Sequence, residues 1–488
     1  MPVGPNLPSV SRVLEMADSF GIDMNNEEAE LYRGFMQGVI NSSRRIDQMT
    51  EDKPEVKYPR TTGYRPNPDD NPYNAWYWRS EIKGSGKGVL KGLKVGIKDA
   101  VCVAGLPMMN GSRLFEGWVP DIDATIVTRI LDAGGTILGK TNCEDMSFSG
   151  SSHTCVLGPV RNPHKAGHSA GGSTGGSGAA IAAGDCEIAT GGDQGGSIRI
   201  PAALCGTFGL KPSFGRIPHW PNKTSWRAIA HDGPLTRTVA DAALYLQALA
   251  GPDPRDPVSI DSSPDDYVAA VAQPVEAMKG LRVAWSEDLG YAAVDPEVRE
   301  LTRRAAERFS DLGCHVEAVD PGWDNPQEAF ARDYHAQIAW KMSPDYDKQP
   351  DYFEPSLAFM IEAGRNVSAE EIVLGGVFRT NFYHQVREFF QRYDLLMTPQ
   401  MPIGAWSVEQ GPREIDGIHT PSMFDRLPFT VPFNWSGYPA ASVPCGFTSE
   451  GLPVALQVVG RWHADSQVLQ AAASFEQAAP WAHRWPAL

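Results

Sequence analysis

The chain has 488 residues, 42% of them hydrophobic and 21% charged, enough to bury a large core in two or three domains or in one α/β enzyme. Its formal charge is -16 and its Lys and Arg residues form no run, so a phosphate-tracking surface is not expected and nucleic acid is excluded as a partner. Seven cysteines without CxxC spacing read as small buried thiols of a reducing compartment. The opening MPVGPNLPSVSRVLEMADSFG lacks a basic stretch followed by an apolar one, and GSGAAIAAG is too short to span a bilayer. A soluble, cytoplasmic protein with no membrane partner is expected.

In chain order, residues 9 to 50 read as two helices. Ser11 can cap the first, which carries Val13, Leu14 and Met16. The second starts near Asn25 and carries Leu31, Phe35, Met36 and Val39 at helical spacing. From Thr50 to Lys87 the chain is rich in Pro, Gly, Asp and aromatics, a connector anchored by Trp76, Tyr77 and Trp78. LKVGIKDAVCVAG then reads as a short strand with Lys98 at its end, residues 121–134 as a helix with a Gly stop, and TILG at 136–139 as the next strand. Strand, helix and strand with Gly-bounded turns argue an α/β fold. Two Gly-rich turns follow within 167–212, each leading into a buried run of small residues. LRVAW at 281–285, a helix over 296–312 and HVEAV at 315–319 repeat the unit, and DLLM and LPVALQVVG are late strands. The aromatic stretch 323–375 reads as an insertion over the body.

The chemistry concentrates in the Gly-rich turns. Glycine allows the close backbone approach needed when main-chain N–H groups converge on a developing negative charge. Ser173 and Thr174 end the first turn and Ser197 the second, and no His motif stands near them. A lysine can serve as the base if burial keeps it neutral. Lys98, at the end of an apolar strand, reads either as such a buried amine or as a solvent-facing strand end, and Ser197 as a nucleophile or a turn serine. Residues 194–197 can form a nest of backbone N–H groups.

The pieces VGIKD at 95–99, AGGSTGG at 170–176 and GGDQGGSIRIPAALCGTFGLKPSFGR at 191–216 strongly resemble the amidase signature family. That resemblance implies its fold, a large mixed twisted sheet with helices on both faces. Residues 81–488 would form this catalytic domain, with residues 1–80 as an N-terminal helical domain and connector. It further implies a Ser-cisSer-Lys triad: Ser197 as nucleophile, Ser173 as the bridging serine after a cis bond from Gly172, and Lys98 as base. The N–H groups of Gln194, Gly195, Gly196 and Ser197 fall on the family's oxyanion hole. Asp193 and Arg199 would be structural, tying the loop by charge-assisted hydrogen bonds. By family position Met146, Ser149 and Gly150 lie near the acyl site.

Gln194 stands where tRNA-linked glutamine amidotransferases of the family carry Thr. Together with MMNGSR at 108–113 and CEDMSFSGSS at 143–152 it resembles the bacterial amidases linked to nitrile degradation. These act on aliphatic and aromatic amides without a cofactor or metal and tend to be homodimers. The expected reaction is hydrolysis of a small-molecule amide to carboxylate and ammonia or amine. Trp220, Trp226, Trp323, Phe330 and Tyr334 are candidates for the leaving-group side, and if several line it an aryl amide, anilide or carbamate is favoured. A glutamine amidotransferase is the alternative, but after SFGR at 213–216 only His219 among Ile217–Trp220 is a possible basic receptor for an α-carboxylate. A nucleotide-binding module lacks GK[ST] and GxGxxG support, and a metal hydrolase built on His153, Cys155, His164 and His168 lacks a second ligand cluster.

Overall fold

The computed structural model describes residues 5–49, 53–152, 156–222, 229–261, 265–272 and 274–486. The chain divides into two units, Met1–Glu55 and Val56–Leu488. In the first, α1 (Val10–Ser19) packs on α2 (Asn26–Gln48). The cap of α1 is Ser9, whose Oγ accepts from the Arg12 N–H, and not Ser11 as the spacing predicts. Asn25 and Glu28 form a capping box on α2, satisfying the orphan N–H groups of its first turn.

The second unit opens with β1 (Trp76–Lys83), β2 (Lys94–Lys98), α3 (Thr125–Asp132) and β3 (Thr136–Thr141). A small ribbon of β4 (Arg161–Asn162) and β5 (Lys165–Ser169) leads into α4 (Gly175–Ala182), β6 (Ile188–Asp193) and α5 (Arg199–Cys205). Then come β7 (Phe208–Lys211), β8 (His231–Thr236), α6 (Val239–Leu249), α7 (Tyr267–Ala272), β9 (Arg282–Trp285), α8 (Pro296–Asp311) and β10 (His315–Ala318). Three helices follow, α9 (Gln327–Tyr346), α10 (Pro355–Arg365) and α11 (Ala369–Arg392), so the aromatic stretch 323–375 is helical. The chain finishes through β11 (Leu395–Pro399), the ribbon β12 (Glu414–Ile415) and β13 (Ile418–His419), α12 (Val431–Ser436), β14 (Ala440–Phe447), β15 (Pro453–Gly460) and α13 (Asp465–Ala478).

Eleven strands form one mixed sheet in the order β1-β3-β2-β6-β8-β7-β14-β15-β11-β9-β10. Helices cover both of its faces, the mixed α/β arrangement that the sequence implies. The stretch read as a connector supplies β1, an edge strand antiparallel to β3, with Trp76 and Tyr77 buried. Strands β7, β8 and β14 do not stand out in the sequence. They are buried and interrupted by Gly or Pro, so neither alternation nor β-propensity marks them.

The sheet positions the site by parity and by direction. Val95 and Ile97 of β2 join the large cluster shared with α3, α6 and α13, so Gly96 and Lys98 point to the opposite face, where α4 lies. Strands β2 and β6 run parallel as neighbours, with Val95 opposite Ile188, and their C-terminal ends therefore open on one edge. α4 is built from glycine, alanine, serine and one isoleucine because it is wholly buried. At Gly176 a Cβ would stand 2.3 Å from the Asn142 carbonyl oxygen.

Candidate active site

Lys98 closes β2, 3% exposed, and its Nζ lies 2.7 Å from Ser173 Oγ. Its own N–H donates to Thr190 Oγ1 on β6, which fixes the strand end. Asp99, next in the chain, points the other way into a buried ion pair with Lys140 at 3.0 Å. Ser173 is 1% exposed at the mouth of α4, and the Gly172–Ser173 peptide bond is cis. Burial pushes the Lys98 amine below its ordinary range, while Cys143, Glu144, Asp232 and Asp193 pull it back up. A buried amine moved toward neutrality, hydrogen-bonded to a hydroxyl, can accept a proton from it.

Beneath this pair lies Glu144, whose free carboxylate oxygen fills the space a Cβ on Gly172 would need. Its other oxygen accepts from Ser149 Oγ at 2.7 Å, and the Gly172 N–H donates to the Gly150 carbonyl at 3.0 Å. Burial pushes the Glu144 carboxyl up to about 8 against the pull of Ser149 and Lys98. The centre thus holds a buried acid and a buried base, both moved toward their neutral forms.

Ser197 sits half-buried on the turn between β6 and α5. This turn is held by the carboxylate of Asp193. Asp193 Oδ1 accepts from the Gly196 N–H at 2.7 Å and from Asn434 Nδ2 at 2.8 Å, and its two oxygens accept from Arg199 at 2.9 and 3.0 Å. Arg199 in turn donates to Gln457 Oε1, to Asn434 Oδ1 and to the Thr430 carbonyl. Although burial pushes Asp193 up, the guanidinium holds it below the ordinary carboxylate range. Thr430 Oγ1 also donates to the Gly195 carbonyl at 2.6 Å. With these carbonyls and carboxylate oxygens tied down, the N–H groups of Gln194, Gly195 and Ser197 have no acceptor among the described residues. Gly196 differs from the sequence expectation: its N–H is committed to Asp193 and is not part of a free nest. Gly196 has φ 122, and a Cβ there would stand 2.8 Å from Thr430. Among the described residues no hydrogen bond joins Ser173 to Ser197, and the hydroxyl of Ser173 meets Lys98.

Ser197 opens into a pocket lined by Ser147, Phe148, Ser149, Gly150, Gln194, Gly195, Ile200, Phe330, Tyr334, Met423, Phe424 and Leu427. Phe330 and Tyr334, one helical turn apart on α9, stack at 5.8 Å, and both meet the edge of Phe424. The Tyr334 hydroxyl donates to the Phe148 carbonyl, so the wall turns its apolar faces to the space. A Cβ on Gly195 would stand 3.5 Å from the Phe330 ring.

Of the residues singled out in the sequence, Ser149, Gly150, Phe330 and Tyr334 line this one pocket. Phe330 and Tyr334, candidates for the leaving-group side, share its wall with Ser149 and Gly150, the residues given to the acyl site. Met146 is packed in the core below and is not on the wall, where Ser147 and Phe148 stand instead. Trp323 lies elsewhere, edge-on to Phe382, Phe389 and Phe433, because its segment packs on α11. Trp220 is stacked under the Arg255 guanidinium at 3.9 Å. Trp226, His153 and Cys155 lie outside the described residues. His164 Nε2 bonds the Cys205 carbonyl, and among the described residues no three His, Cys, Asp or Glu side chains are grouped to hold a metal. The six cysteines in the described residues are free thiols, and no helix among them is long and apolar enough to cross a membrane. Met423, Phe424 and Leu427 carried no signal in the sequence, whereas Phe148 stands inside the CEDMSFSGSS piece and Ile200 inside the 191–216 piece that did.

The strand-end lysine, the serine at the mouth of α4 and the glycine turn before α5 all fall within residues 68–469, which match the Amidase family, and the chain belongs to that family of hydrolases. Among individual proteins it is similar to the acylamidase of Rhodococcus erythropolis, 37% identical over 84% of this chain and 86% of that one. It is also similar to one component of the glutamyl-tRNA(Gln) amidotransferase of Synechococcus sp. (strain RCC307), 34% identical over 80% of this chain and 84% of that one. Among solved structures, a bacterial aryl acylamidase of the amidase signature enzymes superposes with a TM-score of 0.78 at 27% identity, covering 99% of this chain and 98% of that one.

Proposed function

We propose that this protein is an amidohydrolase acting on linear carboxylic amides through an acyl-serine intermediate, with Ser197, Ser173 and Lys98 as its triad. The observation that carries the reading is the buried Lys98–Ser173 contact of 2.7 Å beside a pocket that Ser197 faces. Neutral Lys98 takes the proton of Ser173 as Ser173 takes that of Ser197, and Ser197 Oγ attacks the amide carbonyl carbon. The tetrahedral oxyanion is held by the N–H groups of Gln194, Gly195 and Ser197. The relayed proton passes to the leaving nitrogen, the C–N bond breaks, and the amine departs. Water then attacks the acyl carbon and gives a proton to the same relay. That proton returns to Ser197 Oγ as the ester C–O bond breaks, and the acid leaves as its carboxylate.

The lining supports an apolar acyl group, aliphatic or aryl, with ammonia or an aromatic amine as leaving group. Among the described residues no charged side chain lines the pocket, and this apolar lining supports an uncharged acyl group over a carboxylate-bearing one such as glutamine. The test is covalent labelling by a fluorophosphonate, abolished by Ser197→Ala, followed by kcat/KM over acetamide, benzamide, 4-nitroacetanilide and glutamine. Absence of labelling in folded protein overturns the serine mechanism, and a preference for glutamine overturns the substrate class. We further propose a homodimer, supported by the exposed apolar side chains of α2, Leu31, Phe35 and Val39 among them.

A further inference from the structure

His219 is the residue that the amidase reading leaves without a role. Its Nδ1 lies 2.6 Å from Asp232 Oδ2, with the imidazole 37% exposed and the carboxylate side chain 5% exposed. Asp232 stands on β8 directly opposite Gly192 of β6, one residue before Asp193 and the Ser197 turn. The point where a Gly192 Cβ would stand is 3.8 Å from Asp232 Oδ1 and 3.9 Å from Lys98 Nζ. Asp232 thus has one oxygen on His219 and the other bordering the gap that Lys98 also borders.

A negative charge so placed favours the ammonium form of Lys98, the opposite of what a base requires. The charged and titratable groups bearing on Lys98 are Cys143 and Glu144, which follow β3, Asp193 at the end of β6, and Asp232 on β8. Two of the three carboxyls have evident neutralisers: burial drives Glu144 toward its protonated form, and Arg199 matches Asp193. For Asp232 that partner is His219. Besides Asp232, the groups around His219 are Asp256, whose carboxylate accepts its backbone N–H at 2.9 Å, and Lys341 of α9. Asp232 pushes the imidazole above its ordinary range, in favour of the charged pair.

We propose that His219, by pairing with Asp232, is a positioning residue that keeps Lys98 in its neutral, proton-accepting form. The inference rests on the reading of Lys98 as the base. The imidazolium offsets part of the Asp232 charge that bears on Lys98, and removal of the imidazole leaves more of that charge to hold the lysine protonated.

The experiment is the pH dependence of kcat/KM for 4-nitroacetanilide in wild type, His219→Ala, His219→Arg, Asp232→Asn and the His219→Ala/Asp232→Asn double variant. Activity rises with pH as Lys98 loses its proton. In His219→Ala that rise is expected about one pH unit higher, a loss of about tenfold on its acid side, with little change on the alkaline plateau. His219→Arg, which restores a cation, returns the rise toward its wild-type position, and the double variant, which removes the stranded anion, brings it to that position or lower. Asp232→Asn alone moves it to lower pH, because the Asp232 charge favours the ammonium form of Lys98. If His219→Ala does not fold, His219→Asn carries the same expectation. A uniform loss at every pH, or a raised KM with an unmoved rise, overturns the proposal and makes His219 a substrate contact or a loop support. Turnover retained in Lys98→Ala sinks the base itself. An inactive Lys98→Ala with an unmoved His219→Ala profile sinks the role of His219 alone.

Discussion

Lys98, Glu144, Ser149 and Ser173 share a buried centre, and the proposed chemistry depends on its amine not being charged. Among the described residues no carboxylate pairs directly with Lys98, and its hydrogen bond goes to a hydroxyl. Its base form is the deprotonated one, and burial lowers its proton affinity, so kcat/KM rises with pH and its midpoint falls below 10.5, the usual lysine value. Lys98→Ala is expected to lower kcat by about 10²–10⁴-fold with the melting temperature retained, measured by single-turnover hydrolysis and thermal unfolding. Glu144 makes a stability statement of the opposite kind. Its carboxyl, pushed from 4.5 to about 8, stays protonated in the fold while the unfolded chain ionises it. Between those two values the native state binds the extra proton, so stability falls as pH rises. Glu144→Gln removes that dependence, and its stability relative to wild type, read from urea unfolding at pH 5 and pH 8, is expected to improve toward pH 8 by a few kcal/mol.

At the level of elements, the site is the meeting of two parallel strand ends with two short buried helices. The turn before α5 is set by one carboxylate, since Asp193 collects donors from Gly196, Ile198, Arg199 and Asn434. Asp193 and Arg199 are both fully buried, and removal of one partner strands the other's charge. Arg199→Ala is expected to cost about 3–5 kcal/mol in chemical denaturation, far more than an exposed pair would. α9 acts on the site differently, through the aromatic pair at 330 and 334. Phe330 abuts Gly195 and closes the pocket over it. Phe330→Leu is expected to raise the ratio of kcat/KM for bulky over acetyl anilides by about tenfold, checked with a series of acyl chain lengths.

On the scale of the molecule, two units are joined in one chain, and the first carries apolar side chains in the open. Phe35 is 67% and Val39 71% exposed on α2. The proposed homodimer gives them a partner, since α2 displays them one helical turn apart. Light scattering on the eluted protein is expected to report twice the chain mass. The variant Phe35→Glu/Val39→Glu is expected to report a single chain mass if this face is the contact, and an unchanged mass removes α2 from the interface.

Local chemistry was legible in the sequence. Lys98 and Ser197 stood out as candidates from residue type and position, each beside an unreactive alternative, and the role of Ser173 and the tie of Asp193 to Arg199 followed from the family resemblance of short local pieces. Strands 136–139, 281–285 and 452–460 were legible too, because their apolar runs are bounded by turn residues. What lies far along the chain was not. Asn434 reaches Asp193 across 241 residues and Gln457 reaches Arg199 across 258, and neither sits in a pattern that distinguishes it from any other buried amide. Nor does periodicity tell which aromatics face a cavity: Phe330 and Trp323 look alike in sequence, yet only the packing of α9 and α11 sends one to the pocket and the other to the core. The sequence alone thus determined which groups are proposed to react, through local pieces that resemble the family. The tertiary structure decided their protonation and the shape of the space before them, because burial and charge neighbourhood arise only when distant segments close around Lys98.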